Sequence, residues 1–256
     1  MADFASSQPL PAAGAAPQSP RRMSSAARIF GAFYSPAETF QDIARAPHFV
    51  LCWVVMVLAS IFTGYTALHR FGAYELAQQL LTANPRTQAM PADQLQKLVT
   101  GTARFLPLQL YAITPVVVIV VLLVLAAIFL GAENFLLGQQ VKYKGMLAAV
   151  SHAMLPVTLY TVAGAVVLWL RADPSTAQFR NLLGSNPAYY LDPSSLGPVL
   201  NALLQRLDLF SFWAIGLLAL GMVKLGQKVK YGGALAVVAG LWVLYVLLFV
   251  GVAALT

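Results

Sequence analysis

The sequence has few of the residues on which enzymes and soluble domains depend. Of its 256 residues only 10% are charged, and Asp and Glu together number 9. The single cysteine, Cys52, excludes an intramolecular disulfide and a cysteine-based metal site. The three histidines form no HExxH motif, and no Asp or Glu stands at helical spacing from His152. We therefore predict a protein that is not an enzyme, with no catalytic residue, cofactor or bound metal, and with no nucleic-acid partner.

Apolar residues, in contrast, make up 59% of the chain, and its mean hydropathy is +0.72. About 20 apolar residues form a helix that crosses a hydrocarbon core of about 30 Å. In lipid, a helix satisfies its own backbone hydrogen bonds. We therefore predict an all-α polytopic membrane protein whose transmembrane domain, residues 48–256, has five transmembrane helices. The expected spans are about 49–69, 108–132, 145–170, 206–224 and 231–254, with outer loops at 70–107 and 171–205.

Both outer loops contain stretches with leucines at helical spacing. Leucines at positions i, i+3 and i+4 lie on one face of a helix, which favours packing or contact with the outer leaflet. Four short helices are therefore predicted outside the membrane, at about 71–84, 91–105, 174–184 and 194–208.

The N-terminal 47 residues precede the first apolar run. Residues 1–25 are rich in Ala, Pro, Ser and Gln without an apolar signal core, so we expect a disordered cytoplasmic tail. Residues 26–47 predict two amphipathic interfacial helices. In the second, Ser35 is expected to cap the helix, Pro36 to occupy its first position and Glu38 to complete a capping box. These helices either lie on the membrane surface or pack on the cytoplasmic ends of the spans.

Basic residues are dense in the short loops that follow the second and fourth spans. The long outer loops dilute their basic residues over many more positions. Because short cytoplasmic loops carry the excess of Lys and Arg, the N-terminus is predicted to be cytoplasmic and the C-terminus outside.

The two short loops repeat one sequence. LGQQVKYKG occupies residues 137–145, and LGQKVKYGG occupies residues 225–233. The last four spans are therefore predicted to form two parallel-repeat hairpins, related by an axis along the membrane normal. In each copy the first glycine is expected to end the incoming helix, the tyrosine to lie at the interface and the last glycine to allow close approach. These residues are Gly138, Tyr143 and Gly145 in the first copy, and Gly226, Tyr231 and Gly233 in the second.

Two interpretations of the repeated loops stay open. They are anchored hairpin turns from a duplication, or they form a paired basic patch that binds anionic headgroups or a cytoplasmic partner. In either case the lysines are predicted to face one cytoplasmic surface. The candidate binding residues are Lys142, Tyr143, Lys144, Lys228, Lys230 and Tyr231.

Few ionisable residues lie within or beside the spans. His152 is predicted to bond a neighbouring helix or to reach the headgroups, and Glu133 to lie at the interface. A small-solute permease acting as an oligomer is the rival interpretation, and Pro115 and Pro156 could break helices for it. Buried charge at mid-membrane is missing, however, so a permease is not favoured.

The stretch FYSPAETFQDIARAP leads directly into five predicted spans with a long first outer loop. The third span opens with Lys and Gly and carries Pro156 shortly after His152. In these features, from about residue 26 to the end, the chain resembles bacterial members of the Yip1 family. Eukaryotic members work with Rab GTPases in vesicle traffic and carry an Asp-Leu-Tyr-Gly-Pro stretch before the first span, which is missing here. The resemblance therefore implies the fold of the bacterial branch, in the inner (plasma) membrane, and leaves the activity undefined.

Taken with the lysine loops, these features predict a non-enzymatic membrane organiser or scaffold. It would bind lipid headgroups of the bilayer, or protein partners, through its cytoplasmic face. Small residues on several spans also allow helix packing in a homo-oligomer.

Overall fold

The computed structural model describes residues 22–82, 85–174, 177, 179, 181–192, 196–226 and 228–255, and these residues form helices without strands. Of the predicted tail at 1–25, residues 1–21 lie outside the described residues. The helices are α1 (Ser25–Tyr34), α2 (Pro36–Arg45), α3 (Val50–Phe71), α4 (Ala73–Thr82), α5 (Pro85–Gln88), α6 (Ala92–Leu108), α7 (Thr114–Gly131), α8 (Tyr143–Ala153), α9 (Leu155–Leu170), α10 (Pro198–Arg206), α11 (Leu209–Leu225) and α12 (Tyr231–Leu255). π-Helical turns at Gln109–Ile113 and Ala132–Leu136 and a 3-10 turn at Pro187–Tyr190 complete the set.

Four helical segments of the described chain are long and apolar enough to cross a membrane. They are Val50–Phe71, Ala92–Leu136, Tyr143–Leu170 and Tyr231–Val252. The helices α10 and α11 pass the same test together but are bent by 53°, and they make a fifth span if the bent pair is counted as one. The all-α polytopic architecture is confirmed at four to five spans. The arrangement of the last four spans as duplicated hairpins stays a prediction.

The second span is much longer than predicted. An outer helix and a separate span beginning near residue 108 were expected, but Ala92–Leu136 is one helical segment of 45 residues. Pro107 and Pro115 each lack a backbone N–H, which usually ends a helix. Here the π-helical turn Gln109–Ile113 lies between them, and the Thr114 backbone N–H bonds to the carbonyl of Gln109. The wider turn therefore continues the helix past both prolines.

The third span is divided into two helices after its first 11 residues. Helix α8 ends at Ala153, Met154 has φ −84° and ψ −2°, and α9 begins with Leu155 and the buried Pro156. A proline in the first turn of a helix needs no N–H donor, so Pro156 fits the start of α9.

The N-terminal helices pack on the spans, which is the second of the two placements left open by the sequence. Helix α2 packs against α8 and α11, and Phe40 and Ile43 are fully buried. The Phe40 ring packs directly on Gly221, and a Cβ atom added to that glycine would lie 3.1 Å from the ring. Apolar burial against the bundle therefore holds α2 in place.

The predicted capping box of α2 is wrong. Ser35 precedes α2 but its side chain forms no capping hydrogen bond, while Pro36 does occupy the first turn. The reciprocal bond from Glu38 is excluded because the Ser35 backbone N–H already donates to the Gly31 carbonyl at 2.9 Å. Helices α1 and α2 follow each other so closely that the last bond of α1 uses the donor that a capping box requires.

The outer helices were predicted with mixed success. Helices α4, α6 and α10 occupy three of the four predicted stretches, but α6 continues into the second span and the position of these helices outside the membrane stays a prediction. The described residues within 174–184 are not helical. There Ala177 and Leu182 are buried in a small cluster with Leu168 of α9. Burial against the end of α9 therefore prevails over helix formation in this part of the outer loop.

Candidate functional site: the paired lysine loops

The two repeated loops begin their outgoing helices in the same way. Helix α8 starts at Tyr143 and α12 starts at Tyr231, which are equivalent positions in the repeat. The backbone N–H two residues later donates to the carbonyl of the preceding lysine in both copies. These bonds, Gly145 to Lys142 and Gly233 to Lys230, are both 3.0 Å long. The repeated letters thus encode the same local conformation twice.

The two equivalent tyrosines also make equivalent hydrogen bonds. The hydroxyl of Tyr143 donates to the carbonyl of Leu123 in α7 at 2.9 Å. The hydroxyl of Tyr231 donates to the carbonyl of Gly216 in α11 at 3.4 Å. Each tyrosine therefore ties the start of its helix to the helix that precedes the loop, in addition to being partly exposed.

The glycines differ between the copies. Gly226 directly follows α11 and caps its end, as predicted, but its φ is −81°, whereas Gly138 has the positive φ of +64°. The difference arises because α7 continues through a π-helical turn before it ends, whereas α11 ends directly at Leu225. Similarly, a Cβ on Gly145 would lie 3.1 Å from Leu225 Cδ2, but one on Gly233 would meet nothing within 4 Å. Close approach is therefore needed at Gly145 alone.

The structure brings the two loops together at one end of the bundle, which we call the loop end. The Lys228 backbone N–H donates to Gln139 Oε1 at 3.4 Å, joining the second loop to the first. Within the first loop, the Asn134 side chain bonds both the N–H and the carbonyl of Val141, at 2.8 and 3.2 Å. A cavity of about 270 Å³ lies between the loops, and its lining includes Gly226.

The loop end presents exposed positive charge. The side chains of Lys142, Lys144, Lys228 and Lys230 are all exposed. Neither repeat contains Asp or Glu. The four exposed lysines on two touching loops therefore give the loop end a positive charge.

Sequence reasoning misjudged Glu133, which was expected at the interface. Glu133 is 0% exposed, and neither of its carboxylate oxygens has a hydrogen-bond partner within the described chain. It lies in the π-helical turn Ala132–Leu136, five positions before Gly138, and the second copy has Gly221 at the equivalent position. An acidic residue four positions before a basic, repeated segment was the signal that could have identified it.

His152 is buried, and its Nδ1 lies 2.8 Å from the Ala148 carbonyl of its own helix rather than bonding a neighbouring one. The helix-to-helix bond is made instead by Ser151, whose hydroxyl accepts from Trp53 Nε1 at 3.0 Å. Across the described ranges, no group of three or more His, Cys, Asp and Glu side chains could hold a metal ion. This region therefore has a packing function in the bundle.

Comparison with protein families decides which family this architecture represents. The Yip1 domain matches residues 30–253, nearly the whole chain. The chain belongs to the Yip1 domain family. No match was found among curated proteins or among solved structures. Membership and the apolar helices together establish an integral multi-pass membrane protein, and the family supports a scaffold type that is generally not enzymatic.

Proposed function

We propose that this Yip1-domain protein is a non-enzymatic membrane organiser whose paired lysine loops bind anionic lipid headgroups at the cytoplasmic face of a bacterial inner membrane. The observation that carries the proposal is the contact between the loops, which gathers four exposed lysines at one end of the bundle. Each Lys near an anionic membrane surface contributes about 1 kcal/mol of attraction. Four lysines on two joined loops therefore supply enough energy to hold such lipids preferentially.

The rigidity of the loops supports binding over mere anchoring. The Asn134 side chain clamps the first loop, and each tyrosine hydroxyl fixes a loop to its incoming helix. Side chains held on a fixed backbone lose less freedom when they bind a headgroup. The lysines thus have a defined spacing, which a pair of flexible turns would lack.

Lipid retention tests the proposal. The full chain is reconstituted in nanodiscs of phosphatidylcholine and phosphatidylglycerol, extracted in mild detergent, and its retained lipids are quantified by mass spectrometry. The double variant Lys142→Glu with Lys230→Glu is expected to lower phosphatidylglycerol retention at least about tenfold, because two attractive charges become repulsive. The retention should also fall with salt, since exposed charges are screened.

A matched control changes the same charge elsewhere. Lys97 and Arg104 are exposed on α6, away from the loops, so Lys97→Glu with Arg104→Glu should leave retention at the wild-type level. Equal losses in both double variants would show a general charge effect and contradict the proposal. A protein that co-purifies with the wild type and is lost only in the loop variant, with lipid retention unchanged, would replace the lipid by a protein partner.

A further inference from the structure

The carboxylate of Glu133 is the unexplained group of the loop end. Both of its oxygens are inaccessible and without a hydrogen-bond partner in the described part of the chain. Burying an unpaired carboxylate is costly, so such groups are found with a bound cation or donor. The orphaned oxygens therefore point to a positively charged group that is not part of this chain.

This carboxylate lies next to a residue that lines the cavity between the loops. A Cβ on Gly226 would lie 2.7 Å from Glu133 Oε1, so the lack of a side chain at 226 leaves the carboxylate against the backbone that lines the cavity. The second loop is joined to the first here by the long 3.4 Å bond from the Lys228 N–H to Gln139 Oε1. Binding of a ligand ammonium to Glu133 would require the second loop to shift at this contact.

The charges around the cavity select the ligand. Lys228 lines the cavity, and Lys142 follows directly after its lining residue Val141. A bare metal cation near Glu133 would meet these ammonium groups, and a simple anion would leave Glu133 unpaired. A compact zwitterion that carries both a phosphate and a primary ammonium satisfies both sets of groups.

We propose that this cavity binds a phosphoethanolamine group, with its ammonium donating to Glu133 and its phosphate held by Lys228 and Lys142. The proposal deepens the headgroup binding proposed above and rests on it. A primary ammonium donates hydrogen bonds, whereas the quaternary ammonium of choline has no N–H to offer. The site should therefore distinguish ethanolamine from choline headgroups that share the same phosphate. Because Gly221 replaces the acidic residue in the second copy, the repeat supplies one such site rather than two.

The test is the ratio of retained phosphatidylethanolamine to phosphatidylcholine. Nanodiscs contain equal amounts of both, with a fixed share of phosphatidylglycerol. The wild-type chain is expected to enrich phosphatidylethanolamine about tenfold, the magnitude of one charge-assisted hydrogen bond. Glu133→Gln should return the ratio to that of the bulk lipid. The matched control is Glu38→Gln, an exposed carboxylate on α2, which should keep the wild-type ratio. No enrichment in the wild type, or full enrichment in Glu133→Gln, would overturn the proposal.

A second pair of variants tests the same site without removing the carboxylate. Gly226→Ala places a methyl group 2.7 Å from both Glu133 Oε1 and Val229 Cγ2, which displaces the carboxylate, and should abolish the enrichment. Gly233→Ala adds the same methyl group in open space and should keep it. Thermal unfolding of each variant in detergent separates loss of the site from loss of the fold. Equal enrichment in both folded variants would overturn the proposal.

Two further arms separate the sources of the ligand and the two proposals. In the first arm, free phosphoethanolamine is added. If it removes the phosphatidylethanolamine enrichment, the site binds a soluble ligand as well as the lipid headgroup. Addition without effect supports a lipid ligand held by its chain and headgroup together. If phosphatidylglycerol retention falls in Lys142→Glu with Lys230→Glu but the wild type shows no phosphatidylethanolamine enrichment, the ethanolamine site fails while headgroup binding by the lysine loops stands.

Discussion

Arg28 Nε donates to Asp42 Oδ2 at 2.7 Å and joins α1 to α2 in a buried corner. Arg28 is 2% exposed, and its second nitrogen, NH1, donates to the Ala46 carbonyl at 2.8 Å. The same carboxylate oxygen, Asp42 Oδ2, also accepts from the Met23 backbone N–H at 3.3 Å. Arg28 is thus engaged within the protein, and it holds the corner that positions α2 on the bundle.

Breaking this ion pair should destabilise the protein strongly. Arg28→Ala leaves the Asp42 carboxylate buried without its partner, which costs about 3–5 kcal/mol. Replacing both residues, Arg28→Met with Asp42→Leu, should cost much less, because no uncompensated charge remains. Unfolding in detergent, followed by circular dichroism, measures the difference. The exposed Arg45→Ala is the control and should behave as wild type; a double variant as unstable as Arg28→Ala would contradict this account.

Gly31 should tolerate no side chain at the same corner. A Cβ there would clash with Thr39 Oγ1 and lie 2.9 Å from Met23 Cε. We expect Gly31→Ala to lower the free energy of unfolding by about 1–3 kcal/mol, as overpacking does. In contrast, Gly131→Ala in α7 adds a methyl group in open space and should be neutral or stabilise by about 0.5–1 kcal/mol. Similar unfolding temperatures for the two variants would show that the corner can relax.

The two lysine loops should be accessible from the same side of the membrane. In a Cys52→Ala background, Lys142→Cys and Lys230→Cys are expected to react with an impermeant maleimide from one side only, and that side should be cytoplasmic. A double variant, Gln139→Cys with Lys228→Cys, should form a disulfide on mild oxidation, because these residues are in contact. Labelling of the two loops from opposite faces would exclude both the contact and the predicted topology.

The hydroxyl groups of the two equivalent tyrosines should contribute unequally to stability, and the one with the shorter hydrogen bond should contribute more. Tyr143→Phe removes a 2.9 Å bond to Leu123, and Tyr231→Phe removes a 3.4 Å bond to Gly216. The first is expected to cost about 0.5–1.5 kcal/mol of stability and the second less. Chemical unfolding in mixed micelles compares them directly, since the two substitutions are chemically identical. A larger loss for Tyr231→Phe would show that the hydroxyl bonds do not determine the effect.

Hydropathy alone predicted the helical, membrane-spanning character of the chain, because a run such as Val50–Phe71 has no other stable form in lipid. Local signals were less reliable wherever neighbouring elements competed for the same groups. Ser35 and Glu38 have the sequence of a capping box, but the Ser35 backbone N–H that Glu38 would accept from is already bonded to the Gly31 carbonyl. Likewise a separate span was predicted to begin near residue 108, where the π-helical turn Gln109–Ile113 instead continues the helix past Pro107 and Pro115.

The candidate site was predictable in part. The repeat identified both loops, and their shared letters do fold alike around Tyr143 and Tyr231. Contact between the loops and the burial of Glu133 depend on how the π-helical turn after α7 lies against Gly226 at the end of α11, and that information is spread over residues distant in the sequence. A repeated motif therefore predicts its own local conformation from sequence. The burial of a single acidic residue beside it becomes evident only when the structure shows the second loop packed against it.

The 53° bend between α10 and α11 has a consequence for the surrounding lipid. At 1.5 Å per residue the 17 residues of α11 extend about 26 Å, whereas the 25 residues of α12 extend about 38 Å. The oblique α10 cannot make up the full height, and its Arg206 is held over the Phe249 ring at 3.8 Å. Acyl chains beside α11 must shorten to match it, while those beside α12 need not. We therefore expect the bilayer to be thinner beside α11 than beside α12.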